Sequence, residues 1–428
     1  MKSISIYIHI PFCVKKCQYC DFLSAPADSR AQEVYLRALK QEIREQAARY
    51  REYEVQTVFI GGGTPTAVPC EKLCEVLKTV FTCYRVNPQA EISMEANPGT
   101  VTKEALLSYR KAGINRLSIG LQSTDDGELK LLGRIHTYRN FLQTYRWAQE
   151  AGFTNINLDI MSALPGQSVE NYKKTLETVL SLKPQHISAY SLIVEEGTPF
   201  YEKYGQESEK LQATGEKQPD LPSEEEEREM YALTEKLLAA AGYHRYEISN
   251  YALPGRECRH NLVYWKRGNY VGFGLGAASM VENVRFENIR EMQEYLAEYA
   301  GMPDAEPVFA EVAQGDAQVL SNEQEFSLRE DTHSENEQEL SIRENVHPLS
   351  PQEQMEETMF LGLRLTEGVS KAEFHRQFGV SMEQIYGEVI RKNTAKGLLI
   401  DEAGYLRLTR EGMELSNYVM AQFLLDEV

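Results

Sequence analysis

Three cysteines, Cys13, Cys17 and Cys20, stand within eight residues in a C-x3-C-x2-C pattern directly after the first apolar run. Three thiolates in one loop suit an iron–sulfur cluster. A [4Fe–4S] cube normally takes four, so a loop offering three leaves one iron open. The open iron then takes a small molecule with its own nitrogen and oxygen donors, and the amino and carboxylate groups of S-adenosylmethionine fit. Zinc is the competing ion, but neither a histidine nor a fourth cysteine follows within the loop to close a tetrahedron, and Asp21 is the local alternative. Cys70 and Cys74 share the C-x3-C spacing but lie one helical turn apart, with Cys83 nine residues further on, and read as structural thiols. Seven cysteines, an odd number with three bunched, argue for metal ligation in a reducing compartment rather than for a disulfide framework.

A second set of chemistry-bearing residues falls where apolar runs end. Gly61-Gly62-Gly63-Thr64-Pro65 closes one run, and its bare backbone lets N–H groups approach a ligand. Glu95, Gln122 and Asp159 close three others and offer acceptors for ribose hydroxyls or an ammonium group. Arg134, just beyond, could balance a carboxylate. Each alone also reads as a solvated loop residue; together with the cysteine loop they read as a site.

The elements that must position these residues follow a β/α rhythm. Strands are predicted near 4–10, 56–61, 90–95, 115–121, 155–160 and 186–193 with helices between them. Such alternation builds an α/β fold with a parallel sheet, and the spacing favours a partial TIM-type (β/α)6 barrel, with a doubly wound open sheet as the alternative. In this reading residues 1–245 form the barrel, and 205–227 are an exposed loop ending in Glu224–Glu227 before a helix at 228–241. Residues 246–300 form an extension, within aromatic, glycine-rich strands at 243–286. The segment 301–349 holds twelve acidic residues and two arginines and repeats a twelve-residue motif at 322–333 and 336–347, so it reads as a disordered insertion. Residues 350–428 switch to helices at 352–363, 370–376 and 381–396 plus a hairpin, a small winged-helix-like α+β domain. The net charge of −19 disfavours nucleic acid, and much of it sits in that insertion. The chain starts directly with a strand-like run and has no apolar run near the ~20 residues that span a bilayer, so the expected location is cytoplasmic.

The runs Ile6-Tyr7-Ile8-His9-Ile10-Pro11-Phe12-Cys13, Gly61–Thr66 and Leu164-Pro165-Gly166-Gln167 resemble the radical S-adenosylmethionine family. The branch is that of the oxygen-independent coproporphyrinogen III oxidases and their haem-chaperone relatives, and the likeness spans nearly the whole chain. It implies a [4Fe–4S] cluster on Cys13, Cys17 and Cys20. It also implies S-adenosylmethionine contacts from Tyr7, Phe22, Gly62, Gly63, Thr64, Glu95, Gln122, Arg134 and Asp159. The oxidases carry a fourth cysteine two residues beyond the third, where this chain has Phe22 after Asp21. His260-Asn261-Leu262-Val263-Tyr264-Trp265 matches the HNxxYW signature of the haem chaperones. Both features favour the chaperone branch.

An imidazole at His260 beside Tyr264 and Trp265 could ligate haem iron while the rings cover the porphyrin, with Cys258 as a rival ligand. A histidine in an aromatic stretch also reads as a satisfied core residue. Ala278 stands where relatives often have histidine. The resemblance implies a carrier that binds haem and delivers it to a haem-accepting membrane protein, at the periphery of the membrane. An electron donor and a second copy of the chain are the further expected partners. The rival expectation is radical decarboxylation of coproporphyrinogen; no catalytic residue is assigned.

Overall fold

Alternation along the first strand, Lys2–Ile10 (β1), puts Ile4, Ile6, Ile8 and Ile10 on one face, each at most 1% exposed. The other face carries Ser5, Tyr7 and His9. This two-faced pattern, apolar toward a helix layer and polar toward an interior, recurs in Tyr53–Gly62 (β2), Val86–Ala96 (β3), Arg116–Gln122 (β4), Ile156–Ser162 (β5) and His186–Ser191 (β6). In the computed structural model, which describes residues 1–205, 219–299 and 343–425, these six pair in parallel and in sequence order. Sequential order distinguishes the partial barrel from the doubly wound alternative, where strand order reverses at a switch point.

Helices fill each crossover. Ser29–Gln46 (α1) starts at Asp28, whose carboxylate accepts the Ala31 N–H at 2.8 Å. Cys70–Cys83 (α2) packs Leu73, Val76, Leu77 and Val80 into the same core, with Cys70 and Cys74 half-buried beside it. Glu224–Ala240 (α8) begins earlier than the sequence pattern predicts. Ser223 and Glu226 form a capping box, and four glutamates in the first turn favour the helix's positive end, so Glu224–Glu227 are helix rather than loop. Residues 206–218 of the expected loop lie outside the described residues.

The extension differs more. Tyr270–Phe273 (β9) adds in parallel beside β1, and Ala278–Val281 (β10) and Val284–Asn288 (β11) follow antiparallel. Yet Arg259–Trp265 (α9), predicted among strands, is a short helix. Its first N–H groups are satisfied from β3: Glu91 accepts from the Arg259 and His260 amides at 3.1 Å each. A carboxylate 168 residues away in sequence thus supplies the cap that local propensity lacks. Arg343–Pro348 (β12) pairs with β11, which corrects the end of the expected disordered insertion; Arg343 lies 4.1 Å over the Phe286 ring and bonds Gln46 and Tyr50. The remainder, 301–342, lies outside the described residues.

The C-terminal region has its own core. Pro351–Gly362 (α11), Lys371–Phe378 (α12) and Met382–Ala395 (α13) pack on a three-stranded sheet that includes the hairpin Leu399–Glu402 (β14) and Tyr405–Leu408 (β15). It is fastened to the extension by Glu357, which pairs with Arg267 at 3.1 Å and Arg285 at 2.7 Å. No helix among the described residues is long and apolar enough to cross a membrane.

Glu42 of α1 ties the extension to the barrel. It is buried and accepts from the Gly274 amide (2.8 Å), the Asn288 amide (2.6 Å) and the Tyr295 hydroxyl (2.7 Å). Burial pushes its pKa up to about 7 against those hydrogen bonds. A carboxyl raised from about 4.5 stabilises the fold when protonated, and that stability is lost as pH rises through about 7. Urea unfolding between about pH 5 and pH 8 should show wild type falling relative to Glu42→Gln by about 2–3 kcal/mol. Parallel pH profiles would refute this.

Candidate functional site

The cysteine loop leaves β1 at Pro11 and is pinned at both ends. Cys13 N–H donates to the Ala25 carbonyl at 3.1 Å, Ala25 N–H to Pro11 at 3.0 Å, and Gln18 N–H to Leu132 at 3.0 Å. The three half-buried thiols line one cavity with Phe22, Gly62, Gly63, Thr64, Glu95 and Arg134. Gln122 and Asp159 complete that wall, so eight of the nine predicted S-adenosylmethionine residues meet the cysteines. Tyr7, the ninth, lines a neighbouring cavity that shares Phe22, Gly62 and Glu95.

Two positions must be glycine. Gly63 donates to the Ile10 carbonyl at 2.9 Å, and a Cβ there would meet the Phe12 oxygen at 2.7 Å and Cys13 Sγ at 3.0 Å. Gly62 has φ +113°, and a Cβ would stand 2.6 Å from His9 Nδ1. Thr64 Oγ1 lies 3.5 Å from Cys13 Sγ, and Arg134 Nη1 lies 3.6 Å from Cys17 Sγ. Burial pushes the Cys20 thiol up to about 11, a cost that binding to a cationic iron centre would offset. Among the described residues no three His, Cys, Asp or Glu donors converge on a single metal ion. The thiols line a shared cavity without closing on one point.

Two half-buried carboxylates, Glu95 and Asp159, line the same cavity as the cysteines. Burial, and then the Asp159 charge, push Glu95 up to about 8, while the Gly62 amide donates to it at 3.1 Å. Burial also raises Asp159, against hydrogen bonds from Asn157 (2.7 Å) and Ser118 (3.1 Å). Both therefore call for a donor-rich ligand. Arg134 donates to the Gly120 carbonyl at 2.9 Å and to Asn97, yet its buried Nε has no partner among the described residues. A ligand with an ammonium group, ribose hydroxyls and a carboxylate fits this donor and acceptor set, and the glycine cradle fits the loop that would hold a cluster. Asn97, Tyr19, Lys15 and Ser118 also line the cavity and were not singled out in the sequence. Asn97, whose amide donates to Thr64 Oγ1 at 2.9 Å, lies two residues beyond Glu95, where the strand-end argument could have found it.

The haem candidates are placed differently from expectation. His260 is 1% exposed, stacks on Phe59, and has both ring nitrogens engaged, Nδ1 with Thr57 Oγ1 at 2.7 Å and Nε2 with the Tyr264 hydroxyl at 2.8 Å. An iron atom has no approach to it. Cys258 is fully buried at the start of α9, with burial pushing its thiol up to about 12. The structure thus corrects both as open ligands. Tyr264, the third, lines the neighbouring cavity.

Fold and site define a radical S-adenosylmethionine protein. The Radical SAM superfamily model matches residues 7–179 and the HemN C-terminal domain model matches 349–415. The fold superposes on Escherichia coli coproporphyrinogen III oxidase (HemN) with TM-score 0.77 at 22% identity, covering 99% of this chain and 90% of that one. The chain is 36% identical to the heme chaperone HemW of Bacillus subtilis across 98% of its own length and 99% of the relative's. With the Escherichia coli heme chaperone HemW it shares 39% identity over 66% of this chain and 71% of that one. The chain belongs to the heme chaperone HemW family.

Superfamily membership implies a [4Fe–4S] cluster and S-adenosylmethionine. Gly63→Ala should force the cysteine loop away from β2, at about 1–3 kcal/mol, and lower the iron retained after anaerobic reconstitution. Wild-type iron content in Gly63→Ala would show the close approach to be dispensable.

Proposed function

We propose that this protein is a haem chaperone that carries a [4Fe–4S] cluster on Cys13, Cys17 and Cys20, holds S-adenosylmethionine beside it, and passes haem to a haem-dependent membrane protein. The observation that carries this reading is the likeness to the Bacillus subtilis heme chaperone over essentially both full lengths. The sequence after Cys20 supports it, because Phe22 stands where the oxidases hold a further cysteine, and here it is 59% exposed at the cavity mouth. When bound, the cluster would supply an open iron and one-electron redox chemistry, for which an electron donor is the matching partner.

This chain's residues supply the rest of the site. Gly62 and Gly63 let the bare backbone approach the methionyl end, and Arg134, which lines the cavity, offers its positive charge to a carboxylate. Glu95, Gln122 and Asp159 accept from ammonium and hydroxyl groups, while Thr64 steadies Cys13. Tyr7 and Phe22 form the wall toward the neighbouring cavity. The haem-accepting partner is met at the membrane periphery, with a second copy of the chain as the expected assembly.

The test is haem titration of anaerobically reconstituted protein followed by absorbance, then transfer to an apo-haemoprotein. Saturable binding with a Soret shift and transfer is the expected result. Absence of saturable binding would overturn the reading, and conversion of coproporphyrinogen III to protoporphyrinogen would replace it with the oxidase.

A further inference from the structure

A further cavity, of about 360 Å³, opens at the seam between the barrel and the C-terminal domain, and its size falls within the range of small-molecule pockets. Helix α8 gives it Glu235, and the chain after α8 gives Tyr243, then Arg245 from His244–Arg245 (β7) and Tyr251 from Asn250–Ala252 (β8). The C-terminal domain gives Arg410 and Met413. The seam shares no lining residue with the cysteine-lined cavity or its neighbour, so an occupant here is distinct from whatever the cysteine side holds.

The charges around this cavity are incompletely answered. The Arg245 side chain is 7% exposed, and a guanidinium so buried calls for an anion held by hydrogen bonds. Its partners are neutral instead. One Nη donates to the Tyr231 hydroxyl at 2.6 Å and the other to Met413 Sδ at 2.7 Å. Glu235 Oε2 stands 3.6 Å from Arg245 and 3.7 Å from Arg410, and this buried oxygen has no hydrogen-bond partner among the described residues. Two guanidinium groups thus converge on one carboxylate oxygen that bonds neither. Glu414, outside the cavity wall, reaches Arg410 at 3.9 Å along its own helix turn, a partly exposed pair of little worth. The His244 imidazole also lines the cavity but is taken by Glu257 at 2.7 Å. The lining therefore keeps one positive charge to spare, while Tyr243, which spends its hydroxyl on the Pro184 carbonyl, and Met413 offer apolar surface.

We propose that the seam binds a small organic acid, its carboxylate held by Arg245 and Arg410 and its flat apolar body lying against Tyr243, Tyr251 and Met413. The planar fork of a guanidinium matches a carboxylate. With Glu235 already present, one further negative charge makes the lining neutral, which favours a monocarboxylate over a dianionic phosphate. The place of the site in the fold gives its occupant a consequence. Thr366, on the C-terminal side, donates its hydroxyl to the Arg245 carbonyl and its N–H to the Tyr246 carbonyl, both at 3.1 Å. The Tyr246 hydroxyl in turn meets His186 Nε2 at 2.8 Å and accepts the Cys258 N–H at 3.2 Å in the barrel interior. An acid bridging Arg245 and Arg410 clamps the C-terminal domain onto that segment and stabilises the fold by mass action.

The test is titration calorimetry of the full chain, with the cluster reconstituted and S-adenosylmethionine present, using naphthoate as the probe and naphthalenemethanol as its uncharged counterpart. Naphthoate should fill one saturable site and the alcohol should not. Arg410→Gln, at a side chain 54% exposed, should weaken naphthoate binding by about tenfold or more, as loss of a hydrogen bond to a charged group does. Glu235→Gln removes the competing charge and should tighten binding by about two- to fivefold, the opposite of what damage to the seam would give. The naphthoate-dependent rise in thermal midpoint should follow the same order. Absence of saturable naphthoate binding, equal binding of the alcohol, an affinity that neither substitution moves, or weaker binding in both variants overturns the assignment.

Discussion

One buried guanidinium sets the electrostatics of the barrel interior. Arg116, on β4, is 2% exposed, and burial works against its charge. Cys258, Glu91, Tyr246 and Asp159 outweigh that penalty and keep its pKa above the ordinary arginine value. The dependence runs both ways. Glu91 caps α9, Asp159 faces the cysteine-lined cavity, and Arg116 also pulls the Glu95 carboxyl downward against burial. His186 and His260, both buried, are held neutral by burial and then by the same cation. Removing one member of such a network strands a charge in a low-dielectric interior, at a cost of several kcal/mol. The polar interior is therefore a single unit rather than a set of separate residues, and it joins the floor of the barrel to the site at its mouth.

That unit explains why the site can be built from residues so far apart in sequence. Parallel strands put their C-terminal ends on one rim, and each rim residue is fixed by its strand's register. The cysteine loop has no regular structure of its own, so it borrows order from that rim through Gly63, Thr64 and the Leu132 carbonyl. Order at the loop is thus inherited from the sheet, which is what a ligand set that must meet a preformed cluster requires.

Most of what was local in origin was legible in the sequence. The six strands were visible because apolar alternation and β-branched runs act over a few residues, and the strand-end rule then gathered Gly62, Glu95, Gln122 and Asp159 without any alignment. The capped start at Ser350 depends on a neighbour three residues on and lies within one residue of its predicted place, whereas the equally local capping box at Ser223 was missed and its helix starts four residues earlier than predicted. Long-range causes were not legible. Helix α9 follows from a carboxylate on β3, and β12 follows from pairing with β11 across a segment whose composition suggests disorder. The fate of His260 was hidden for the same reason: Thr57, which engages it, is 203 residues away.

The two cavities share a wall made of Phe22, Gly62 and Glu95, and this bears on how a carrier could be controlled. Glu95 is the sensitive element, because a carboxyl pushed up to about 8 is close to changing its charge in a neutral solution. A hydrogen-bond donor on the cysteine side would stabilise the charged form, and that charge adds to burial, which comes first, in keeping the Tyr7 and Tyr264 phenols protonated. By thermodynamic linkage the effect is mutual: whatever changes the charge of Glu95 from one cavity changes the environment of Tyr7 and Tyr264 in the other, so the two cavities are electrostatically coupled through their shared wall.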